Sequence, residues 1–199
     1  MNKPNSNKKA EKKRCKWAQD KPGYYTAYHD KEWGKPIKCD QTHFELICLE
    51  GAQAGLSWDT VLQKRDHYRK LFYNFDIQRC ANLKDSYLEK CLKDPGIIRN
   101  RLKVFALRTN AKAFMAVQEE FGTFNAYIGS YVDKTPIVNN WKTMSDVPAN
   151  TEISDVLSKD LKKRGFKFVG STIVYAYMQS AGLVNDHTLD CAWHPNNQL

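Results

Sequence analysis

Leu161-Lys162-Lys163-Arg164-Gly165-Phe166-Lys167-Phe168-Val169-Gly170-Ser171-Thr172 joins two stretches of helical periodicity, residues 153–164 and 171–181. Gly165 stands where a helix C′ residue belongs. Gly170 leaves the backbone open to close approach. The whole, residues 153–182, is a helix–hairpin–helix pattern. Backbone N–H groups in the first turn of the second helix lack intrahelical acceptors, and with the helix dipole they suit a phosphate. Lys163, Arg164 and Lys167 add charge that reads no base sequence. An ordinary connection between two helices has the same outline, so this stretch alone does not separate nucleic-acid contact from packing.

Moving outward, helical periodicity recurs around Glu50 from residue 42, ending before Leu56, and at residues 58–72, 86–92, 98–120 and 125–132. Val61, Leu62, Tyr68, Leu71 and Phe72 should face inward in one of these helices, and the periodicity of another runs through Leu102, Phe105, Ala106, Ala113 and Phe114. Residues 17–40 and 135–150 read as loop. No strand alternation or internal repeat is visible, so the fold class is all-α.

The length of 199 residues is enough for a real core. No apolar run approaches the ~20 residues of a membrane span, and no secretory signal precedes the domain. A reducing, cytoplasmic location is expected, with the six cysteines as thiols or metal ligands. Of the net charge of +9, residues 1–16 hold seven Lys/Arg against one Glu, and the other 183 residues hold 24 against 21. The division expected is a basic disordered tail, 1–14, and a single domain, 15–199. The body is only mildly basic, so nucleic-acid binding must rest on local clusters.

In the helix around Glu50, Leu46 and Ile47 precede the acid by one turn and Gln53 and Ala54 follow it. Thr42 and Glu45 read as a capping box. No Lys or Arg lies between Lys38 and Lys64 to neutralise Glu50 locally. Either it occupies an exposed helix edge, or its partner is distant or a ligand. Trp17, Tyr25, Tyr28, Trp33 and Trp58 flank it in sequence. Each alone reads as core. Together with Glu50 they suit a flat cationic ligand.

His187 and Cys191 stand four residues apart, which on a helix puts both on one side of a turn. With Cys15 and His29 they form a Cys2His2 set compatible with tetrahedral zinc, closed and therefore structural. The spacing also occurs by chance.

Arg14-Cys15-Lys16-Trp17, Ala27-Tyr28-His29-Asp30-Lys31-Glu32-Trp33-Gly34, the run from Ile47 to Trp58, the hairpin, and Gly182-Leu183-Val184-Asn185-Asp186-His187 closely resemble the bacterial 3-methyladenine DNA glycosylase I family. The resemblance implies a helix–hairpin–helix DNA glycosylase fold. It implies a structural Zn2+ on Cys15, His29, His187 and Cys191, joining the two terminal segments. It implies Glu50 as catalytic and base-contacting residue, with Trp17, Tyr25, Tyr28, Trp33 and Trp58 around the flipped base. Gly165, Gly170, Ser171 and Thr172, with Lys163, Arg164 and Lys167, would hold the DNA backbone. Leu56 would fill the gap left by the flipped nucleotide, unless it packs in the core. The implied activity is release of 3-methyladenine from alkylated double-stranded DNA by a monomer. Asp186 would serve the sugar or, on the favoured reading, orient His187. No lysine occurs from Ser171 to Leu199, which favours hydrolysis without strand nicking. A non-catalytic DNA-binding module and a zinc-stapled interaction protein are the competing readings; neither needs a buried acid among aromatics.

Overall fold

The computed structural model describes residues 12–198. The tail expected over residues 1–14 lies mostly outside them, and its last residues make contacts with the domain. Lys13 pairs with Asp190 at 2.6 Å, its carbonyl accepts from the Ala192 amide at 2.8 Å, and Arg14 grips both oxygens of Asp30 at 2.9 Å.

The described chain is helical, as its periodicity predicts. It runs α1 (Gly23–Lys31), α2 (Asp40–Gln53), α3 (Trp58–Leu71), α4 (Ile77–Ala81), α5 (Asp85–Cys91), α6 (Arg101–Phe121), α7 (Phe124–Gly129), α8 (Glu152–Lys163) and α9 (Ser171–Ser180). Two-residue strands β1 (Ile137–Val138) and β2 (Val184–Asn185) pair in parallel, Ile137 with Val184.

Nearly every side of α2 is buried, from His43 to Ala52, as expected of a central helix. Phe44, Leu46, Ile47 and Leu49 join Val61, Phe72, Phe114, Leu161 and Met178 in the main core. A second, smaller cluster gathers Cys15, Tyr28, Trp33 and Cys191, with Trp17, Trp58 and Met144 against it. The space between these clusters holds the candidate site.

Several sequence expectations are corrected. Thr42 and Glu45 do not form a capping box. The helix begins at Asp40, whose carboxylate accepts from the Phe124 and Asn125 amides at 2.8 and 3.0 Å. Glu45 turns inward to accept from Arg65 and Arg69 at 2.5 and 2.9 Å. Within the expected loop 17–40, α1 forms behind Pro22, and it buries Tyr25, Tyr28 and His29. Its inward side mixes aromatic and polar residues, which hides the helical period. Leu102, one of the residues carrying the helical periodicity of 98–120, is 71% exposed in the first turn of α6.

Candidate active site and metal centre

Glu50 lies on the last full turn of α2 and is 3% exposed. The exposed-edge alternative is therefore excluded. Among the described residues no Lys or Arg pairs with it. Burial pushes its carboxyl up to about 8, only partly offset by the Ser180 hydroxyl. An uncompensated acid in this position is costly, and α2 is held firmly around it. Lys103 donates to the carbonyls of Ala52 and Ala54 at 2.9 and 2.6 Å, closing the C-terminal end of α2. On the other side, a Cβ at Gly51 would meet Phe168 of the hairpin at 3.1 Å, so glycine lets hairpin and helix touch.

Glu50 opens into a cavity of about 290 Å³ lined by Trp17, Tyr25, Tyr28, Trp33 and Trp58, the aromatics singled out in the sequence. The rings pack mainly at steep angles: Trp17 meets Trp33 at 5.1 Å and 76°, and Trp17 meets Tyr25 at 5.6 Å and 75°. Tyr28 and Trp58 lie 5.2 Å apart. The Trp58 indole N–H is buried with no acceptor among the described residues, leaving a donor in a wall of the cavity. Its size is near the lower end of ligand pockets, ~300–1,000 Å³, and fits one small ring system.

Four further lining residues escaped the sequence reading: Gln53, Met144, Ala176 and Gln179. Gln53 stands one helical turn past Glu50, so its position was a readable signal. Met144 arrives on a loop, and Ala176 and Gln179 arrive on α9 from over a hundred residues away; local sequence carries no trace of these.

A second cavity of about 160 Å³ connects Glu50 and Gln53 to Gly55, Leu56, Thr172 and Ile173. It lies between the Glu50 region and the start of α9. Leu56 is 43% exposed, so core packing does not explain it. In the hairpin, Gly165 has φ +94°, a conformation costly for any residue with a Cβ. Asn110, also missed in the sequence, clamps the Lys167 backbone from both sides at 2.7 and 3.1 Å. Gly170 precedes α9 with no side-chain cap, leaving the first amides of Ser171 and Thr172 without one. Lys163 and Lys167 are exposed. Arg164 departs from the backbone-binding expectation. It is consumed by Glu120 and Asp160 at 2.6 and 2.7 Å and packs over the Phe121 and Tyr127 rings.

The ligand atoms of Cys15, His29 and Cys191 lie within 4.8 Å of one another. His187 stands beside this trio, its ring edge-on to His29 with centroids 4.9 Å apart. Residues 187–191 form an irregular turn and not a helical one, with the Cys191 amide bonded to the Thr188 carbonyl at 2.8 Å. His29 faces the cysteines through Nε2, 3.6 Å from Cys191 Sγ, whereas the ligand atoms of His187 lie outside the trio. His29 Nδ1 lies 2.8 Å from Asp30 Oδ1, and His187 Nδ1 lies 3.0 Å from Asn185 Oδ1. With Nδ1–H donating, each Nε2 keeps a lone pair, and that of His187 is buried with no partner among the described residues.

Asp186 does not orient His187; Asn185 does. Asp186 is fully buried and accepts four hydrogen bonds, from Asn139, Trp141 and Gln179 at 2.7 Å and from Tyr175 at 2.6 Å. Nothing is left over for a substrate.

Comparison with known proteins agrees with this layout. The chain is 47% identical to DNA-3-methyladenine glycosylase 1 of Escherichia coli, over 93% of this chain and 98% of that protein. It is 49% identical to DNA-3-methyladenine glycosylase of Haemophilus influenzae, over 89% and 96%. The solved 3-methyladenine DNA glycosylase I from Staphylococcus aureus, described for its recognition of 3-methyladenine, superposes with a TM-score of 0.88 at 32% identity, over 92% of this chain and 96% of that one. A family model described as methyladenine glycosylase matches residues 17–194, and the chain belongs to that family.

Proposed function

We propose that this protein excises 3-methyladenine from alkylated double-stranded DNA, with Glu50 and the aromatic cavity as the base site. The observation that carries the reading is a buried carboxylate without a cation inside a cavity walled by aromatic rings. N3-alkylated adenine in DNA is the missing cation. It is flat, stacks on the rings, and offers N–H donors to Glu50. Normal adenine has the shape without the charge and leaves the burial cost of an ionised Glu50 unrelieved.

A base in a duplex must be flipped out to be reached. The hairpin amides of Ser171 and Thr172, with Lys163, Lys167 and the turn from Gly165 to Gly170, hold the backbone. Exposed Leu56 enters the vacated stack. The bond between C1′ and the base nitrogen then breaks, and its electron pair neutralises the cationic base. Water adds to the oxocarbenium-like C1′, releases a proton and leaves an abasic site. The charge on the base makes it a good leaving group, so the site's task is selection and electrostatic stabilisation. With no lysine after the hairpin, the product strand stays intact.

Cys15, His29, His187 and Cys191 fit a structural zinc. They supply two thiols and two Nε2 lone pairs, one of them otherwise orphaned. When bound, the ion crosslinks the N-terminal segment and α1 to the C-terminal turn. Trp17 and Trp33 pack on the His29 ring, at 5.1 and 6.2 Å, so the staple also steadies two walls of the base cavity.

Base release from methylated duplex, followed by chromatography, tests the reading. Wild type should free 3-methyladenine without nicking, and Glu50→Gln should be slower on the order of 10²-fold or more. A wild type that binds DNA but frees nothing would sink the enzyme reading. For the metal, one zinc per chain is expected by elemental analysis. Its removal by a chelator should lower the melting temperature of wild type but not that of Cys15→Ser, which starts without it.

A further inference from the structure

Beside the base cavity lies a wider cleft of about 540 Å³, lined by Lys13, Arg14, Lys16, Lys142, Thr143, Met144 and Asp190 among others. The base site and hairpin do not use it. Met144 lines both spaces, so the cleft adjoins the base cavity. Four of its lining residues are cationic and one is acidic. Asp190 is taken by Lys13 at 2.6 Å, and Arg14 is held on Asp30. Lys16 and Lys142 are exposed and take part in no ion pair among the described residues.

The backbones carrying these two lysines are fixed. Lys16 stands between Cys15 of the staple and Trp17 of the base cavity. Lys142 follows Trp141, whose indole donates to buried Asp186 at 2.7 Å and whose carbonyl accepts from the Leu189 amide at 2.9 Å. Two unpaired ammonium groups thus stand on rigid segments at the edge of the cavity, where a strand bearing a flipped nucleotide must pass. The chain's own residues 1–11 are a poor occupant, since they carry Lys3, Lys8 and Lys9 against Glu11 and like charges repel.

We propose that this cleft is a second backbone site, in which Lys16 and Lys142 hold phosphodiesters of the strand entering the base cavity. The inference rests on the glycosylase reading. It makes the zinc-stapled end of the molecule part of the DNA interface, along with the hairpin. Ammonium groups hold phosphates without reading sequence, so the contribution is electrostatic and salt-dependent.

The test is the salt dependence of binding to a duplex carrying a stable abasic analogue, using the full metal-loaded protein. Each lost phosphate contact lowers the magnitude of the slope of log K against log salt by about 0.9. Lys16→Gln/Lys142→Gln should lose between about 1 and 2 from that magnitude and bind several-fold more weakly. Lys84→Gln/Lys90→Gln, which removes equal charge around α5, should keep the wild-type slope. Quenching of tryptophan fluorescence by free 3-methyladenine should be unchanged in both, showing an intact pocket. A wild-type slope in the first variant, or an equal loss in the second, overturns the proposal. So does full competition by millimolar inorganic phosphate at constant ionic strength, which would mark a free-anion site. If wild type releases no base yet the slope falls as expected, the failure belongs to the glycosylase reading and not to the cleft.

Discussion

Glu50 and Asp186 are both carboxylates removed from water, and α9 serves both. Ala176 and Gln179 line the Glu50 cavity, while Tyr175 and Gln179 donate to Asp186. The two sites answer the same cost in opposite ways. Asp186 meets four donors and has no capacity to spare. Glu50 has one hydroxyl nearby, opens on a cavity, and keeps its proton up to about pH 8. Glu45, five residues earlier on α2, takes a third course by pairing with Arg65 and Arg69. Satisfied burial marks the acids that hold the fold together, and unsatisfied burial sets Glu50 apart as the proposed ligand-binding acid.

The sharpest way to break this contrast is to remove Asp186. Asp186→Ala strands four donors from two segments, the 139–141 loop and α9, and should cost on the order of 3–5 kcal/mol in urea denaturation. Asp186→Asn should be far milder. The Tyr175 hydroxyl and the Gln179 amide can both turn round to face an NH2 group. A stable Asp186→Ala protein with lost catalysis would instead make Asp186 a working acid and collapse the distinction.

The next effect is pH dependence. Glu50 titrates at about 8 in the folded protein, against an ordinary value of 4.5. Between these values the unfolded chain has released a proton that the fold retains. This group therefore makes stability fall as pH rises from about 4.5 to about 8 and adds no further slope above that. One such proton is worth ~1.4 kcal/mol per pH unit. Denaturation at pH 5 and pH 7.5 should show wild type losing stability relative to Glu50→Gln across that interval. Parallel curves would mean that Glu50 is ionised and has a partner the contacts do not reveal.

What the sequence conveyed follows the same division. The long helices were legible because their apolar faces repeat every three to four residues, and the turn between α8 and α9 because glycine punctuates it. Glu50 was legible as an acid with no nearby cation. The roles of Glu45, Arg164 and Asp186 were not, because each is decided by partners 20 or more residues away or by several converging segments. Helix α1 was hidden because its inward side is the wall of a site, where Tyr25, Tyr28 and His29 replace a regular apolar stripe. The pocket residues from the Met144 loop and α9 had no local signature at all.

The smallest effect concerns how α2 is held so that Glu50 stays in place. Lys103 donates to two carbonyls at the end of α2. It answers both unpaired acceptors and the negative end of the helix dipole. Burial lowers its ammonium pKa. Lys103→Met keeps the aliphatic stem and removes the cation, so it should cost about 1 kcal/mol of stability. Its effect on catalysis should come through position, because Gln53, Ala54 and Gly55 lie next to those carbonyls and line the passage from Glu50 to Leu56. Excision should slow a few-fold while quenching by free 3-methyladenine keeps its wild-type midpoint. Loss of free-base binding would place Lys103 in the pocket's own electrostatics. Unchanged excision would show that the packing of Gly51 against Phe168 is enough to hold the end of α2.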